Sequence, residues 1–221
     1  MYIWIGGIPA VGKTTVIKNI LEQGGWGDDV LKVKSSSILL ELAGLNSASE
    51  LISLSGEKRN ELGTMVHSKL LEIDRSDPHR IRIDDGHFAI PMDNGVFRIV
   101  LPTNRETMAQ TACLVLLDAK PEVVARNLSN LVALSRLDDR FKRYLTLENG
   151  TGNLLFAIEK YRQFELNAAL ELSSKLNKNL IIVENNDCLE NAVNGVKEVV
   201  NQQLLGLKEF DSKIGGSPER G

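Results

Sequence analysis

The sequence predicts an α/β fold of three layers, in which helices cover both faces of a five-stranded parallel sheet. Two observations support this prediction. Short apolar runs alternate with amphipathic stretches along the chain, as in strand–helix–strand units with right-handed crossovers. Three of the apolar runs are also nearly free of polar residues, which is typical of strands buried on both faces. The candidate strands are residues 2–6, 30–34, 80–84, 112–118 and 179–184.

Three amphipathic stretches follow candidate strands or connect them, and each predicts a helix. They are residues 13–23, 154–176 and 189–205. In each stretch the apolar side chains recur every three or four residues, so they share one face of a helix and can cover the sheet. The side chains expected on these faces are Val16, Ile17, Ile20, Leu21, Leu154, Ile158, Tyr161, Phe164, Ala168, Leu172, Ala192, Val193, Val196, Val199 and Val200.

Three further segments interrupt the alternation. Residues 86–101, GHFAIPMDNGVFRIVL, predict a β-hairpin because the turn-forming DNG lies between two apolar runs. Residues 126–150 are charged and weakly patterned, which favours a short mobile lid. Residues 206–221 lack apolar periodicity, so we expect a loose tail after a single domain of residues 1–205.

The composition disfavours several classes of protein. The 221 residues include 26 basic and 29 acidic side chains, and the net charge of −3 disfavours a general nucleic-acid binder. Cys113 and Cys188 lack the spacing of a zinc site or a disulfide framework, which favours a reducing compartment such as the cytoplasm. An apolar strand begins at residue 2, so we expect no signal peptide, and no apolar run is long enough for a membrane span. A homo-oligomer is compatible with these features.

The strongest functional signal is GIPAVGKT, residues 7–14, which fits the pattern G-x-x-x-x-G-K-[ST] of a phosphate-binding loop, or P-loop. The motif lies between a predicted strand and a predicted helix, as it must. Its glycines allow backbone N–H groups to face phosphate oxygens, and the helix N-terminus adds positive potential. This motif narrows the prediction to a P-loop NTPase fold that binds ATP and Mg²⁺, with Lys13 as a catalytic cation and Thr14 as a metal ligand. The predicted nucleotide-binding residues of the loop are Gly7, Ile8, Pro9, Ala10, Val11, Gly12, Lys13, Thr14 and Thr15.

The third candidate strand ends in two acidic residues, Asp84 and Asp85, and His87 follows closely. The carboxyl ends of parallel strands form the crevice in which such sheets bind ligands, and a carboxylate there can hold magnesium. Adjacent strand residues point to opposite faces, so we expect only one of the two acids to face the metal. A turn-capping role for the acids and a structural hydrogen bond for His87 stay open as alternatives.

Arginines are the candidates for stabilising a transferred phosphoryl group, which needs positive charge around its oxygens. Three of them lie in the predicted lid at spacings of three and four residues, so a helix would place them on one face as a clamp. A solvated face that pairs with nearby acids is the alternative. Arg59 and Arg98 are further candidates, and Ser35, Ser36 and Ser37 either cap a helix or contact an acceptor. The predicted catalytic arginines of the lid are Arg136, Arg140 and Arg143.

Four segments together resemble the archaeal-type adenylate kinases, which are P-loop nucleoside monophosphate kinases. They are GIPAVGKTT at the N-terminus, VKSSSILLELA after the second strand, IDDGHFAIP after the third and VLLDAKPEVVARN after the fourth. The resemblance covers the order of elements over residues 2–205. It implies transfer of the γ-phosphoryl group of ATP to a nucleoside monophosphate, with AMP as the expected acceptor. It also implies an acceptor-binding part at about residues 35–75.

The same resemblance implies roles for single residues. The family motif of an aspartate, one residue and a histidine falls on Asp85 and His87, which assigns Asp85 to magnesium. We expect His87 to contact the substrate. The family's acceptor-binding arginine matches Arg59, and Ser36 lies in the neighbouring serine segment. The loop after the last strand lies over the donor adenine in such kinases, and here it contains Asn185 and Asn186.

Two other functions stay open. The same frame can serve a kinase for another small molecule. It can also serve an ATP-hydrolysing assembly factor or switch that resembles the kinase-like ribosome-maturation proteins, since these carry an aspartate-x-histidine motif after the third strand. A guanine-specific switch is disfavoured, because NKNL at residues 177–180 precedes a strand and lacks the aspartate of an N-K-x-D motif.

Overall fold

The computed structural model describes residues 1–46, 50, 54–91, 97–100, 105–133, 144–145, 154–186 and 188–214. The strands in these ranges are β1 (Tyr2–Gly6), β2 (Val30–Val33), β3 (Ile81–Asp85), β4 (Ala89–Pro91), β5 (Phe97–Ile99), β6 (Thr111–Asp118) and β7 (Leu180–Glu184). The helices are α1 (Lys13–Gln23), α2 (Ser35–Ala43), α3 (Gly56–Ser76), α4 (Arg105–Gln110), α5 (Pro121–Ala133), α6 (Leu154–Leu176) and α7 (Leu189–Ile214), with a 3₁₀ turn at Gly27–Asp29. No helix in these ranges is both long and apolar enough to cross a membrane.

Five strands form one parallel sheet in the order β2-β3-β1-β6-β7. The central strand β1 has β3 on one side and β6 on the other, so the chain reverses its direction of winding next to β1. Ligands bind at such switch points, beyond the carboxyl ends of the strands. The register places Ile5 opposite Asp85 and Gly6 opposite Leu116, so the loop after β1 opens between the ends of β3 and β6.

Helices cover both faces of this sheet, as predicted. The side chains of β1 alternate: Ile3 and Ile5 belong to an apolar cluster with α1 and α7, whereas Tyr2 and Trp4 belong to a second cluster with the C-terminal half of α6. Alternation follows from the two-residue repeat of a strand. The predicted α/β class with a three-layer P-loop arrangement is therefore confirmed.

The predicted hairpin is present as a separate two-stranded sheet. β4 and β5 are antiparallel, with Ala89 opposite Ile99 and Pro91 opposite Phe97. The turn that was predicted to join them, at residues 92–96, lies outside the described residues. The hairpin packs on α6, because the ring of Phe97 stacks on that of Phe164 with centroids 4.2 Å apart.

Two predicted segments need correction. Residues 126–133 of the predicted lid belong to α5, where Leu128 is 3% exposed in the main core, and residues 134–143 and 146–150 lie outside the described residues. The predicted loose tail is wrong in its first part, since α7 continues to Ile214. Leu204 and Leu207 pack against the core there and stabilise the added turns. Residues 215–221 lie outside the described part of the chain.

Candidate active site

The P-loop curls between β1 and α1 because three of its residues have a positive φ. These angles are 138° at Gly7, 66° at Ala10 and 99° at Gly12. A Cβ atom on Gly7 would lie 2.4 Å from the carbonyl oxygen of Leu117, and one on Gly12 would lie 2.5 Å from Nδ2 of Asn185. Both glycines are therefore required by conformation and by space. The first N–H groups of α1, which have no acceptor within the helix, follow directly after this curl.

Lys13 is the cation of the loop, and it is folded back onto the loop itself. Its Nζ donates to the carbonyl oxygens of Gly7 and of Ile8, the latter at 3.1 Å, and the residue is 8% exposed. Burial lowers the pKa of Lys13 to about 8, although the negative charges of Glu165 and Asp85 act in the opposite direction. An ammonium whose hydrogen-bond acceptors among the described residues are carbonyl oxygens is poised to exchange them for phosphate oxygens, which carry full charge.

Glu165 on α6 binds the other side of the loop, and the sequence analysis missed it. Its carboxylate is 1% exposed and accepts three backbone N–H groups, from Gly7 at 2.9 Å, Phe88 at 2.9 Å and Ala89 at 2.7 Å. Burial alone raises the pKa of Glu165, but the hydrogen bond from His87, the charges of His87 and Lys13 and the N–H of Phe88 together lower it. The N–H of Gly7 therefore faces a protein carboxylate and not the predicted phosphates.

The signal for Glu165 was present in the amphipathic pattern of α6. Ile158, Tyr161, Ala168 and Leu172 are buried along one stripe, and Glu165 lies within this stripe and is buried with them. The sequence analysis instead placed Phe164 on the buried face, whereas its side chain is 39% exposed. An acid within an apolar stripe is almost never buried without a partner, so its position indicates a built interaction.

His87 also binds Gly7. Its Nδ1 lies 2.8 Å from the carbonyl oxygen of Gly7 and 3.8 Å from Oε1 of Glu165. A carbonyl oxygen only accepts, so Nδ1 is the protonated nitrogen in this contact. The structure brings His87 to the P-loop, and its predicted contact with a substrate stays a prediction.

The two acids at the end of β3 have different surroundings, as predicted for adjacent strand residues. Asp84 accepts a hydrogen bond from Oγ of Ser35 at 2.7 Å, and burial raises its pKa. Asp85 lies 3.5 Å from Nζ of Lys32, and its charge acts on Lys13. Asp85 is therefore the acid that shares the P-loop side of the sheet edge.

The loop after β7 reaches the P-loop. Nδ2 of Asn185 donates to the carbonyl oxygen of Val11 at 2.8 Å. The backbone N–H of Asn185 donates to the backbone carbonyl oxygen of Asp118 at 2.8 Å. Asn186 lies further out, where its Oδ1 accepts the N–H of Lys120 at 2.7 Å. Asn185 supports the floor of the P-loop, and no observation tests its predicted contact with an adenine.

A comparison with protein families decides the membership of the chain. The profile of the AAA domain family AAA_17 matches residues 6–142, which is more than half of the chain. The chain belongs to this AAA domain family.

Two solved structures share the fold of this AAA domain. A shikimate kinase from Acinetobacter baumannii in complex with shikimate has a TM-score of 0.53 at 17% identity, and the match covers 93% of each chain. A shikimate kinase from Bacteroides thetaiotaomicron has a TM-score of 0.50 at 17% identity, covering 91% of this chain and 98% of that one. At this identity the likeness shows a P-loop kinase fold and leaves the acceptor open. No curated protein matches the chain.

The remaining predicted residues of the AAA domain are placed only in part. Ser36 is exposed on the first turn of α2, and Arg59 lies near the start of α3, with its side chain outside the description. Arg98 is exposed on β5. The predicted lid arginines Arg136, Arg140 and Arg143 lie outside the described residues, so their clamp stays a prediction.

Arg162 is a second charged residue of α6 that sequence reasoning missed. Its guanidinium forms a fork with the carboxylate of Asp118 at the end of β6, with distances of 2.6 Å and 2.7 Å, and also lies 3.0 Å from Glu159. These hydrogen bonds, that with Asp118 above all, raise the pKa of Arg162. Two carboxylates neutralise Arg162, so we assign it a structural role, in which it links α6 to β6. No local sequence pattern reveals this contact, which joins residues 44 positions apart.

The site fits a nucleoside triphosphate with Mg²⁺. The curled loop, the open first turn of α1 and the buried ammonium of Lys13 are the groups that a polyphosphate needs. No cluster of three or more metal-ligating side chains occurs in the described ranges. Magnesium in such sites is held mainly by phosphates and water with one or two protein ligands, so the single acid Asp85 and the hydroxyl of Thr14 suffice.

Proposed function

We propose that this chain is an ATP-dependent phosphotransferase that moves the γ-phosphoryl group of ATP to a nucleoside monophosphate, with AMP as the first candidate. The observation that carries the proposal is Lys13, a buried ammonium whose only described hydrogen-bond partners are two carbonyl oxygens of its own P-loop. Such a cation gains most from a ligand with negative oxygens at that point. The P-loop kinase fold supports the same interpretation.

The donor side consists of residues of the P-loop. The N–H groups at the start of α1 bind and orient the phosphates, and Lys13 places a positive charge where negative charge is shared in the transition state. Magnesium, when bound, would neutralise part of the phosphate charge. Thr14 and Asp85 would hold it, since both belong to the loop side of the sheet edge.

The acceptor side is proposed at the ends of β2 and β3. The residues assigned to it from the sequence are Ser36 on α2, Arg59 on α3 and His87 after β3. An anionic acceptor, such as a nucleoside monophosphate, suits this placement. Arg136, Arg140 and Arg143 would surround the transferred group, in keeping with a short lid.

A kinase for another small molecule is the second candidate. The fold likeness to shikimate kinases extends over 93% of both chains, so the acceptor of this frame is not restricted to nucleotides. An assembly factor or switch that hydrolyses ATP slowly is a third outcome that the same experiment identifies.

A panel of acceptors with Mg²⁺–ATP tests the proposal. AMP, CMP, GMP, UMP and shikimate are each incubated with the protein, and phosphorus NMR identifies the products. A nucleoside diphosphate from one monophosphate supports the proposal, whereas a phosphorylated hydroxyl acid moves the function to the second candidate. Release of inorganic phosphate with no acceptor product would contradict both kinase functions and favour the switch.

A further inference from the structure

Glu165 is the buried charge that the proposed chemistry does not use. It is the only acid of α6 that lies among the buried side chains of that helix, and it reaches a P-loop residue 158 positions away in the chain. Moving a carboxylate out of water is costly unless hydrogen bonds compensate it. Here three N–H groups from two different segments do so.

Glu165 and Lys13 both form a hydrogen bond with the backbone of Gly7. The N–H of Gly7 donates to Oε1 of Glu165, while its carbonyl oxygen accepts from Lys13 and from His87. The first residue of the P-loop is therefore fixed at both polar ends. Because Gly7 has a φ of 138° and no side chain, these hydrogen bonds are what selects its conformation.

We propose that Glu165 is a positioning residue for phosphoryl transfer: it fixes the orientation of Gly7, and through Gly7 it holds Lys13 and His87 at the mouth of the P-loop. The proposal rests on the proposed use of this loop for a triphosphate. Glu165 touches no reacting atom; it acts on the geometry of the groups that do. Displacement of a catalytic group by about 1 Å can cost about 100-fold in rate.

The negative charge of Glu165 and its hydrogen bonds to backbone N–H groups have opposite effects on ATP binding. Its negative charge repels a triphosphate, whereas its hydrogen bonds preorganise the loop that binds it. Glu165→Gln therefore changes the Kd of ATP little. Loss of the negative charge favours ATP binding, whereas loss of the hydrogen bonds that order the loop disfavours it. The rate constant kcat has no such compensation, since a misplaced Lys13 stabilises the transition state less.

The test compares Glu165→Gln with Glu171→Gln, a change of the same type on the same helix at a side chain that is 43% exposed. Phosphoryl transfer gives kcat, and calorimetry gives the Kd of ATP. If no acceptor reacts, kcat for ATP hydrolysis replaces that of transfer, so a failure of the proposed acceptor stays separate from a failure of this inference. Hydrogen exchange of the Gly7 amide, followed by NMR without any ligand, is the readout that needs no activity.

We expect Glu165→Gln to lower kcat by about 10- to 100-fold, to change the Kd of ATP by less than about 3-fold and to speed up exchange of the Gly7 amide by more than about 10-fold. Glu171→Gln should leave all three unchanged. Should Glu165→Gln fail to fold, Glu165→Asp keeps the charge and stretches the contact with Gly7, and we expect it to lower kcat and to speed up exchange of the Gly7 amide. Loss of kcat and ATP affinity in equal proportion, or an unchanged kcat with a protected Gly7 amide, would overturn the proposal.

Discussion

Buried charges lie at both ends of the parallel strands, which we call the amino edge and the carboxyl edge of the sheet, but their partners differ. At the amino edge, Arg82 on β3 pairs directly with Asp74 on α3 at 2.9 Å, with side-chain exposures of 2% and 4%. At the carboxyl edge, Lys13 and Glu165 bind opposite ends of Gly7. A cation that is neutralised by an anion has little to gain from a ligand, whereas one held by carbonyl dipoles has much to gain. The difference separates a structural charge from a binding one.

The amino edge also shows the cost of burying a guanidinium. Arg82 donates to the carbonyl oxygen of Leu70 at 2.9 Å and lies 4.6 Å above the ring of Tyr2. Its Nε and Nη2 have no hydrogen-bond partner among the described residues. This pair lies at the opposite end of the strands from the P-loop, so we assign it to stability.

The largest expected effect comes from removing the exchangeable cation. Lys13→Ala should lower kcat by about 100- to 1,000-fold, because residues 7–14 then contain no cation to stabilise the negative charge of the transition state. The melting temperature should stay the same or rise, since a buried charge is removed. Lys18→Ala, at an exposed position of the same helix, is the control for both measurements. Unchanged turnover in the Lys13 variant would remove this residue from the mechanism.

The next effect concerns the amino edge. Asp74→Asn leaves Arg82 without its charge partner and should lower the free energy of unfolding by about 3 kcal/mol, as measured by urea denaturation. The Kd of ATP should not change in the folded fraction. The control is Asp77→Asn, which removes a more exposed ion pair with Arg80 and should cost about 0.5 kcal/mol. A loss of ATP affinity in the Asp74 variant would show that the two edges are coupled.

The third prediction distinguishes the roles of Asp84 and Asp85 in magnesium binding. Asp85→Asn should raise the magnesium concentration for half-maximal activity by about 10-fold, because one charged ligand of the metal is lost. Asp84→Asn should change it by less than about 2-fold, since that carboxylate is bound by Ser35. A magnesium titration of both variants decides between them, and the reverse order would move the metal to Asp84.

The smallest effect is a pH dependence of stability. The pKa of Lys13 is lowered from 10.5 to about 8 in the folded chain, so the unfolded chain binds more protons between these values. The contribution of Lys13 to the free energy of unfolding should therefore increase as the pH rises from about 8 to 10.5. Wild type and Lys13→Met are compared by urea denaturation at pH 7.5 and 9.5. A difference between them that does not depend on pH would contradict the lowered pKa.

The sequence predicted those parts of the site that depend on local spacing. The P-loop, the acids of β3 and the hairpin each show their pattern within fewer than twenty residues, and turn chemistry or strand alternation fixes their geometry. The contacts of Glu165 with Gly7 and of Arg162 with Asp118 join distant segments, and no local pattern encodes them.

Two errors of the sequence analysis have physical causes. The face of α6 was set by hydrophobicity, which favours Phe164, whereas the helix buries Glu165 because three N–H groups stabilise its carboxylate. The end of α7 was placed at residue 205 because periodicity fades there. Residues beyond it still form backbone hydrogen bonds of a helix once Leu204 and Leu207 anchor the turn to the core.

The attachment of Gly7 to α6 has a consequence for protein engineering. Grafting the eight-residue phosphate motif onto another strand–helix junction would transfer the glycines and the lysine but leave behind the carboxylate that braces them. Such a chimera would match every motif search and yet hold its lysine loosely. Transfer of a functional P-loop therefore also requires an acidic residue on a neighbouring helix whose carboxylate accepts the N–H of the first glycine.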